Sequence, residues 1–239
     1  MKVNNYLLGY KNLRIMQDNE MFNFSLDSVL LPNFVTINKK IDKILDIGCG
    51  NAPIPLILST KTDAKIVGVE IQEKSYDLAI ESVKMNKLEA QIKIINQDIN
   101  DFYNFEETDS YDIITCNPPF FKYKDTSNIN KNDYKTLARH EVKLNLDNIF
   151  NIAKKLLKNN GVIAIVHRPE RLVEIIETMK KNNIEPKKVR FVYPKKNRDA
   201  NILLIEGSKN GKPGLKILPP LYSHLDNGEY TDEVKKYFE

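Results

Sequence analysis

The chain has 239 residues, 41% of them hydrophobic and 28% charged, with 9 Gly and 11 Pro. That balance supports a globular fold with a sizeable core and excludes a disordered, collagen-like or low-complexity chain. Lys and Arg number 36 against 32 Asp and Glu, and the resulting net charge of +4 neither demands nor excludes a nucleic-acid partner. No apolar run approaches the roughly 18–20 residues that span a bilayer, so no membrane association is expected. The N-terminus has no basic stretch leading into a long apolar one, and no secretory signal is read there. The only cysteines, Cys49 and Cys116, form neither a disulfide framework nor a zinc pattern. They read as small packing residues in a cytosolic protein without a metal centre.

Along the chain, two short strand-like stretches precede a helix expected over Leu26–Val35. From Lys43 onward, apolar runs alternate with helical patterns. Lys43–Gly48, Lys65–Glu70, Gln91–Asn96, Tyr111–Asn117 and Gly161–His167 are rich in Ile and Val and nearly continuously apolar, as buried parallel strands tend to be. Between them, Tyr76, Ala79, Ile80 and Val83 recur at helical spacing. So do Leu146, Ile149, Phe150 and Ala153, and then Leu172, Ile175, Ile176 and Met179. Lys188–Tyr193 and Ala200–Glu206 have no helix between them and are expected to form an antiparallel hairpin. Lys122–Asp133 and Ser208–Pro220 read as loops. The alternation predicts an α/β fold with right-handed crossovers. Five parallel strands and a terminal hairpin resemble the Rossmann-like, seven-stranded, mostly parallel sheet of class I methyltransferases. The chain then divides into an N-terminal addition (1–40), a catalytic core (41–207) and a C-terminal extension (208–239), all within one methyltransferase domain.

Directly after the first central strand comes Asp46-Ile47-Gly48-Cys49-Gly50-Asn51-Ala52. A ligand at the carboxyl end of a parallel sheet needs a tight turn and close backbone approach, which Gly48 and Gly50 permit. The helix that follows, opened by Pro53 and Pro55, is expected to point its N-terminus at the ligand. Ala52 stands where a third glycine is common. Glu70 ends the next strand, where an acidic side chain can accept both hydroxyls of a ribose. With Asp46 ahead of the glycines, D-x-G-x-G resembles the S-adenosylmethionine motif more than the dinucleotide one. Asp46 is placed to help hold the charged amine of that cofactor. Asp98, after the third strand, suits either the adenine amino group or a helix N-cap.

Asn117-Pro118-Pro119-Phe120 ends the fourth strand and matches the signature of enzymes that methylate a nitrogen conjugated to a π-system. Such a nitrogen is a poor nucleophile because its lone pair is delocalised. Two acceptors aimed at its N–H bonds favour a more tetrahedral nitrogen with a freed lone pair. The Asn117 side-chain oxygen and the Pro118 carbonyl can be those acceptors, and the prolines hold them in place. Phe120 offers a face on which the target base can stack.

Several further segments resemble the bacterial tRNA (adenine-N6)-methyltransferases that modify the adenosine 3′ of the anticodon, position 37, in valine tRNA. They are the Phe22–Leu31 stretch, DIGCGNAPIP, VGVEIQ, CNPPFF, Ala138–Glu141, Val166–Leu172 and Gly211–Val234. The resemblance covers nearly the whole chain. It implies S-adenosylmethionine as cofactor and tRNA as partner, with the protein acting as a monomer. It places Asp27 and Ser28 against the cofactor. Asp46, Gly48 and Gly50 would hold its methionine end, Glu70 its ribose, and Asn117–Phe120 the target adenine. Cys49, Ile71 and Ile99 join the same cofactor site. Asn-Pro-Pro-Phe is also shared with DNA, ribosomal RNA and protein-glutamine methyltransferases. A non-catalytic RNA-binding protein on the same scaffold is the alternative outside enzymes.

The positive charge is concentrated. Between Lys181 and Pro220, ten Lys or Arg face three acids, whereas Leu221–Glu239 has five acids and two lysines. The basic excess belongs to the hairpin, with Arg190, Lys195, Lys196 and Arg198, and is the expected RNA footprint. Lys122, Arg139 and Arg168 are expected to extend it. Arg168 and Arg171 suit either phosphate or pairing with Glu170 and Glu174. His140 and His167 read as structural hydrogen-bonding residues rather than catalysts.

Overall fold

The computed structural model describes residues 2–6, 13–18, 25–38, 40–118 and 144–238. Pro119, Phe120, Lys122, Arg139 and His140, with the loop expected over Lys122–Asp133, lie outside the described residues.

The apolar runs form the expected strands. In chain order the elements are β1 (Lys2–Tyr6), β2 (Arg14–Asp18), α1 (Leu26–Phe34), β3 (Lys43–Ile47), α2 (Pro53–Ser59), β4 (Lys65–Glu70) and α3 (Glu73–Met85). Then follow β5 (Ile92–Asn96), α4 (Ile99–Phe105), β6 (Tyr111–Cys116), α5 (Leu146–Leu156), β7 (Leu157–His167) and α6 (Leu172–Lys181). The chain ends with β8 (Ile184–Tyr193), β9 (Ile202–Lys209), β10 (Lys216–Ile217), β11 (Leu221–Tyr222) and α7 (Asp232–Lys235).

Seven long strands make the main sheet, in the order β8-β9-β7-β6-β3-β4-β5. β3 to β7 pair in parallel, and β9 runs antiparallel to both β7 and β8. This is the mostly parallel sheet with an antiparallel C-terminal hairpin that the sequence predicts. Part of the segment expected as a loop, Ser208–Pro220, is strand instead. β9 continues to Lys209, and β10 and β11 add two-residue parallel pairings along β8. Those pairings carry no hydrophobic periodicity that a sequence pattern would reveal.

Two apolar layers cover the sheet. One contains the buried faces of α1, α2 and α3, with Val29, Leu30, Leu31, Leu56, Ile57, Ala79 and Val83. Ile15 of β2 and Val234 of α7 are fully buried in the same layer. The other layer holds Phe102, Ile149, Phe150, Ala153, Ile175 and Met179 from α4, α5 and α6. The N-terminal hairpin is bolted to α3. Backbone N–H groups of Arg14 and Met16 donate to Asn86 Oδ1 and Ser82 Oγ, both at 2.9 Å.

Candidate active site at the carboxyl edge of the sheet

Strand register brings the motifs together. Asp46 lies opposite Thr115 on one side and Gly68 on the other, and Ile47 lies opposite Cys116 and Val69. Gly48, Glu70 and Asn117 therefore leave the sheet side by side on three adjacent parallel strands, where open α/β sheets bind ligands.

Asp46 is only 1% exposed. Its Oδ1 accepts a hydrogen bond from Thr115 Oγ1 at 2.6 Å, while Oδ2 has no partner among the described residues. Burial pushes its carboxyl up to about 7, against the pull of the Thr115 bond and with a further push from Glu70. A buried polar atom without a partner is costly unless something completes it. A cationic ligand group fits that vacancy in the hydrogen-bonding pattern. Thr115 belongs to none of the motifs; a hydroxyl following the apolar pair Ile113 and Ile114 is the one signal the sequence offers for it.

The turn after β3 has the shape its glycines allow. Gly48 and Gly50 have φ of 68° and 55°, and a Cβ placed on Gly50 would meet nothing within 4 Å. Ala52 takes the left-handed conformation as well, with φ 70° and ψ 33°. That conformation costs a non-glycine residue about 1–2 kcal/mol. The turn thus keeps its form despite the missing third glycine. The expected helix-terminal ligand contact is weaker than the motif suggests, because prolines at the first and third positions of α2 remove two of its N–H donors. Asn51 anchors the turn to the N-terminal hairpin, its Nδ2 donating to the Met16 carbonyl at 2.7 Å.

Glu70 is 5% exposed and braces the turn. Its Oε2 accepts from the Gly50 N–H at 2.9 Å and its Oε1 from the Gln72 N–H at 2.8 Å. Carboxylate oxygens accept more than one bond, so this bracing is compatible with ribose hydroxyls. Ile71, beside it, is among the exposed large apolar residues. Asp98 is the N-cap of α4, with Oδ1 accepting from Asn100 N and Nδ2, both at 3.0 Å. Ile99 is buried beneath that turn. Cys49 and Cys116 are buried, and burial holds both thiols well above their ordinary range, so neither is a ready nucleophile.

Asn117 is half-buried and Pro118 buried. The Asn117 Nδ2 donates to Ser28 Oγ at 3.2 Å. Ser28, expected against the cofactor, therefore touches the proposed catalytic amide. Asp27 faces the charge of Arg168; burial raises its carboxyl, while a bond from Ser25 and the Arg168 charge oppose the shift.

The candidate RNA residues separate by partner. Lys196 and Arg198 are exposed in the β8–β9 turn. Lys195 is half-buried and donates to the Asp226 carbonyl at 3.1 Å, and Arg168 donates to the Asn201 carbonyl at 2.9 Å. Arg190 is well enclosed. Its side chain is 13% exposed, and it donates to the Pro219 carbonyl at 3.0 Å, Tyr237 Oη at 2.9 Å and Glu233 Oε1 at 2.5 Å. Those three bonds hold its guanidinium against the C-terminal segment. Arg171 pairs with Glu174 through two bonds of 2.6 Å. His167 is buried, and burial with the charge of Arg171 lowers it to about 4, so it is neutral near pH 7; its Nδ1 accepts from Arg168 N at 2.7 Å. Among the described residues, no group of three or more His, Cys, Asp or Glu could hold a metal ion, and no helix is long and apolar enough to cross a membrane.

The chain is similar to curated proteins along its whole length. It is 26% identical to the tRNA1(Val) (adenine(37)-N6)-methyltransferase of Flavobacterium johnsoniae, over 97% of this chain and 99% of that protein. It is also 26% identical to the enzyme of the same name from Christiangramia forsetii, over 98% of this chain and 96% of that one. Among solved structures, a predicted O-methyltransferase from Agrobacterium tumefaciens superposes with a TM-score of 0.69 at 16% identity, covering 89% of this chain and 95% of that one. That last likeness is one of fold. The model of the methyltransferase domain family matches residues 38–216, and the chain belongs to that family.

Proposed function

We propose that the protein transfers a methyl group from S-adenosylmethionine to N6 of an adenosine in tRNA, namely adenosine 37 of valine tRNA. The observation that carries the reading is the side-by-side exit of Asn117 and Gly48 from paired strands, next to a buried carboxylate with an oxygen that has no partner among the described residues. The full-length similarity to relatives named for this reaction supports the choice of tRNA.

The cosubstrate supplies an electrophilic methyl carbon on a sulfonium. Asp46 holds its charged amine, Glu70 accepts from its ribose, and the open side of Gly50 lets the backbone come close. Asn117 Oδ1 and the Pro118 carbonyl accept the two N–H bonds of the target amine, freeing its lone pair to attack the methyl carbon as the sulfur–carbon bond breaks. The methylated nitrogen then loses a proton to water, so no side chain with a specially tuned pKa is required. The base enters this pocket flipped out of its stack, against Phe120. Residues 41–207 form the catalytic core, and the additions at 1–40 and 208–239 contribute to substrate choice. Lys195, Lys196, Arg198 and Arg168 contact the phosphate backbone, along with Lys122 and Arg139. The enzyme works as a cytosolic monomer.

The test is to incubate the purified enzyme with tRNA and labelled S-adenosylmethionine, digest the product to nucleosides and map the label. N6-methyladenosine at position 37 of valine tRNA is expected. Its absence, or label on another base or on protein, rejects the reading.

A further inference from the structure

We propose that Ser28 is a positioning residue for Asn117, setting which face of the catalytic amide meets the target nitrogen; the proposal rests on the acceptor role given to Asn117 above. A side-chain amide is ambiguous. One edge accepts hydrogen bonds and the other donates, and a half-turn of the terminal torsion exchanges them. Only the accepting edge draws on an N–H of the target amine. A donating edge would repel it. Something must therefore hold the amide, and Ser28 Oγ accepts from Asn117 Nδ2 at 3.2 Å; a hydroxyl can also donate, so the bond selects this edge when the Ser28 proton is directed away from Asn117. With Nδ2 engaged there, Oδ1 is the edge left for the substrate.

The partners come from distant parts of the chain, 89 residues apart, and each stands on a rigid support. Asn117 follows Cys116, the last residue of β6, and precedes Pro118, whose ring restricts the backbone of the residue before it. Ser28 is 5% exposed on α1, followed by Val29, Leu30 and Leu31, which are all at most 1% exposed. That helix packs on β7, β9 and the C-terminal helical turns. A serine on a mobile loop could not orient anything, but one carried on a buried helix face can. The contact the structure gives the Ser28 hydroxyl is to the Asn117 amide, so its effect on orientation passes through Asn117.

The test compares Ser28→Ala and Ser28→Thr with the parent enzyme. Total transfer of labelled methyl to acceptor is measured whatever the product, and product identity is read separately. Ser28→Ala is expected to lower kcat about tenfold while KM for both substrates stays within about twofold, because binding is kept and orientation lost. Ser28→Thr keeps the hydroxyl and is expected to recover most of the rate, with thermal melting checking that each variant folds. The sharper arm uses Asn117→Asp, whose two carboxylate oxygens both accept and so have no wrong face. In that background Ser28→Ala is expected to cost less than about twofold. An inactive Asn117→Asp leaves the decision to the threonine rescue. A parent-like kcat in Ser28→Ala, no rescue by threonine, or equal losses in the two backgrounds overturns the proposal. Label found on something other than N6-methyladenosine rejects the functional reading and leaves the Ser28 comparison standing.

Discussion

Asp46 at the carboxyl edge and Glu206 in the β8–β9 hairpin are both buried carboxylates, 1% and 4% exposed, on the same sheet, and their surroundings differ in kind. Glu206 accepts from Thr36 N at 2.6 Å and Thr36 Oγ1 at 2.8 Å and pairs with Lys188 Nζ at 3.3 Å. Lys188 in turn donates to the Phe34 carbonyl at 2.6 Å and sits over the Phe34 ring. The network ties the end of α1 to the hairpin and is complete within the chain. Among the described residues, Asp46 has one donor, Thr115, and an oxygen left over. Satisfied buried charge holds a fold together, whereas unsatisfied buried charge marks a place for a ligand. The two regions should therefore respond oppositely to mutation, one in activity and the other in stability.

The largest effect expected is at the edge. Asn117→Ala removes the acceptor proposed for the target amine and should lower kcat by about 10²–10³-fold, with little change in melting temperature. An Asn117→Ala enzyme with near-normal kcat would sink the mechanism. In the hairpin, Glu206→Ala leaves Lys188 without its carboxylate and Thr36 without its acceptor. It should cost about 3 kcal/mol in denaturant unfolding, toward the lower end for a broken buried pair because Lys188 is partly exposed. Cofactor affinity of the folded fraction should be unchanged. A loss below about 1 kcal/mol would erase the contrast between the regions.

Only the Asp46 side of this contrast is legible in the sequence. The Ile- and Val-rich runs fixed the parallel strands, because burial on both faces leaves continuous apolar stretches. Asp46, Glu70 and Asn117 stood out because chemistry-bearing residues at the ends of such runs converge on one edge. What stayed hidden was non-local or patternless. The Asn117–Ser28 bond joins residues that no spacing rule connects. The seven-residue α4 is too short to show a period, and its clearest mark was Asp98, whose capping role competed with a cofactor role. β7 begins four residues before its apolar run, at Leu157, where the pairing with Tyr111 is followed by an irregularity. Arg190 counted toward a basic patch because composition cannot see that three acceptors lie within its reach.

A smaller effect than either substitution concerns the ionisation of Asp46. Its carboxyl titrates near 7 in the fold against an ordinary 3.8, so the folded state keeps a proton that the unfolded chain has lost. This contribution to stability is full below about pH 4, fades as pH rises to about 7, and changes no further above. Binding of a cationic amine needs the ionised form, so cofactor affinity should rise with pH up to about 7 and then level. Below that point it should fall up to tenfold per pH unit, as read by calorimetric titration from about pH 5.5 to 8.5. Asp46→Asn should flatten the profile, weaken cofactor binding about tenfold at pH 8 and leave the melting temperature unreduced. A pH-independent affinity in the parent enzyme would show that the leftover oxygen is not the amine's partner.

The smallest effect tests the outer surface of the hairpin, whose inner surface Glu206 secures. Lys196 is exposed in the turn, and its removal should leave folding, cofactor affinity and kcat alone. If it meets a tRNA phosphate, Lys196→Ala should weaken tRNA binding only severalfold and lower the slope of log affinity against log salt by about one. The slope is the decisive readout, because a lost phosphate contact changes the number of counterions released, whereas a subtle misfolding would weaken binding equally at every salt concentration. Arg190→Ala serves as the internal contrast. Its guanidinium is spent on the C-terminal segment, so its loss should lower stability and leave the salt slope of the folded enzyme as it was. The reverse pattern, with Arg190 controlling the slope and Lys196 without effect, would move the RNA path from the turn to the flank of β8.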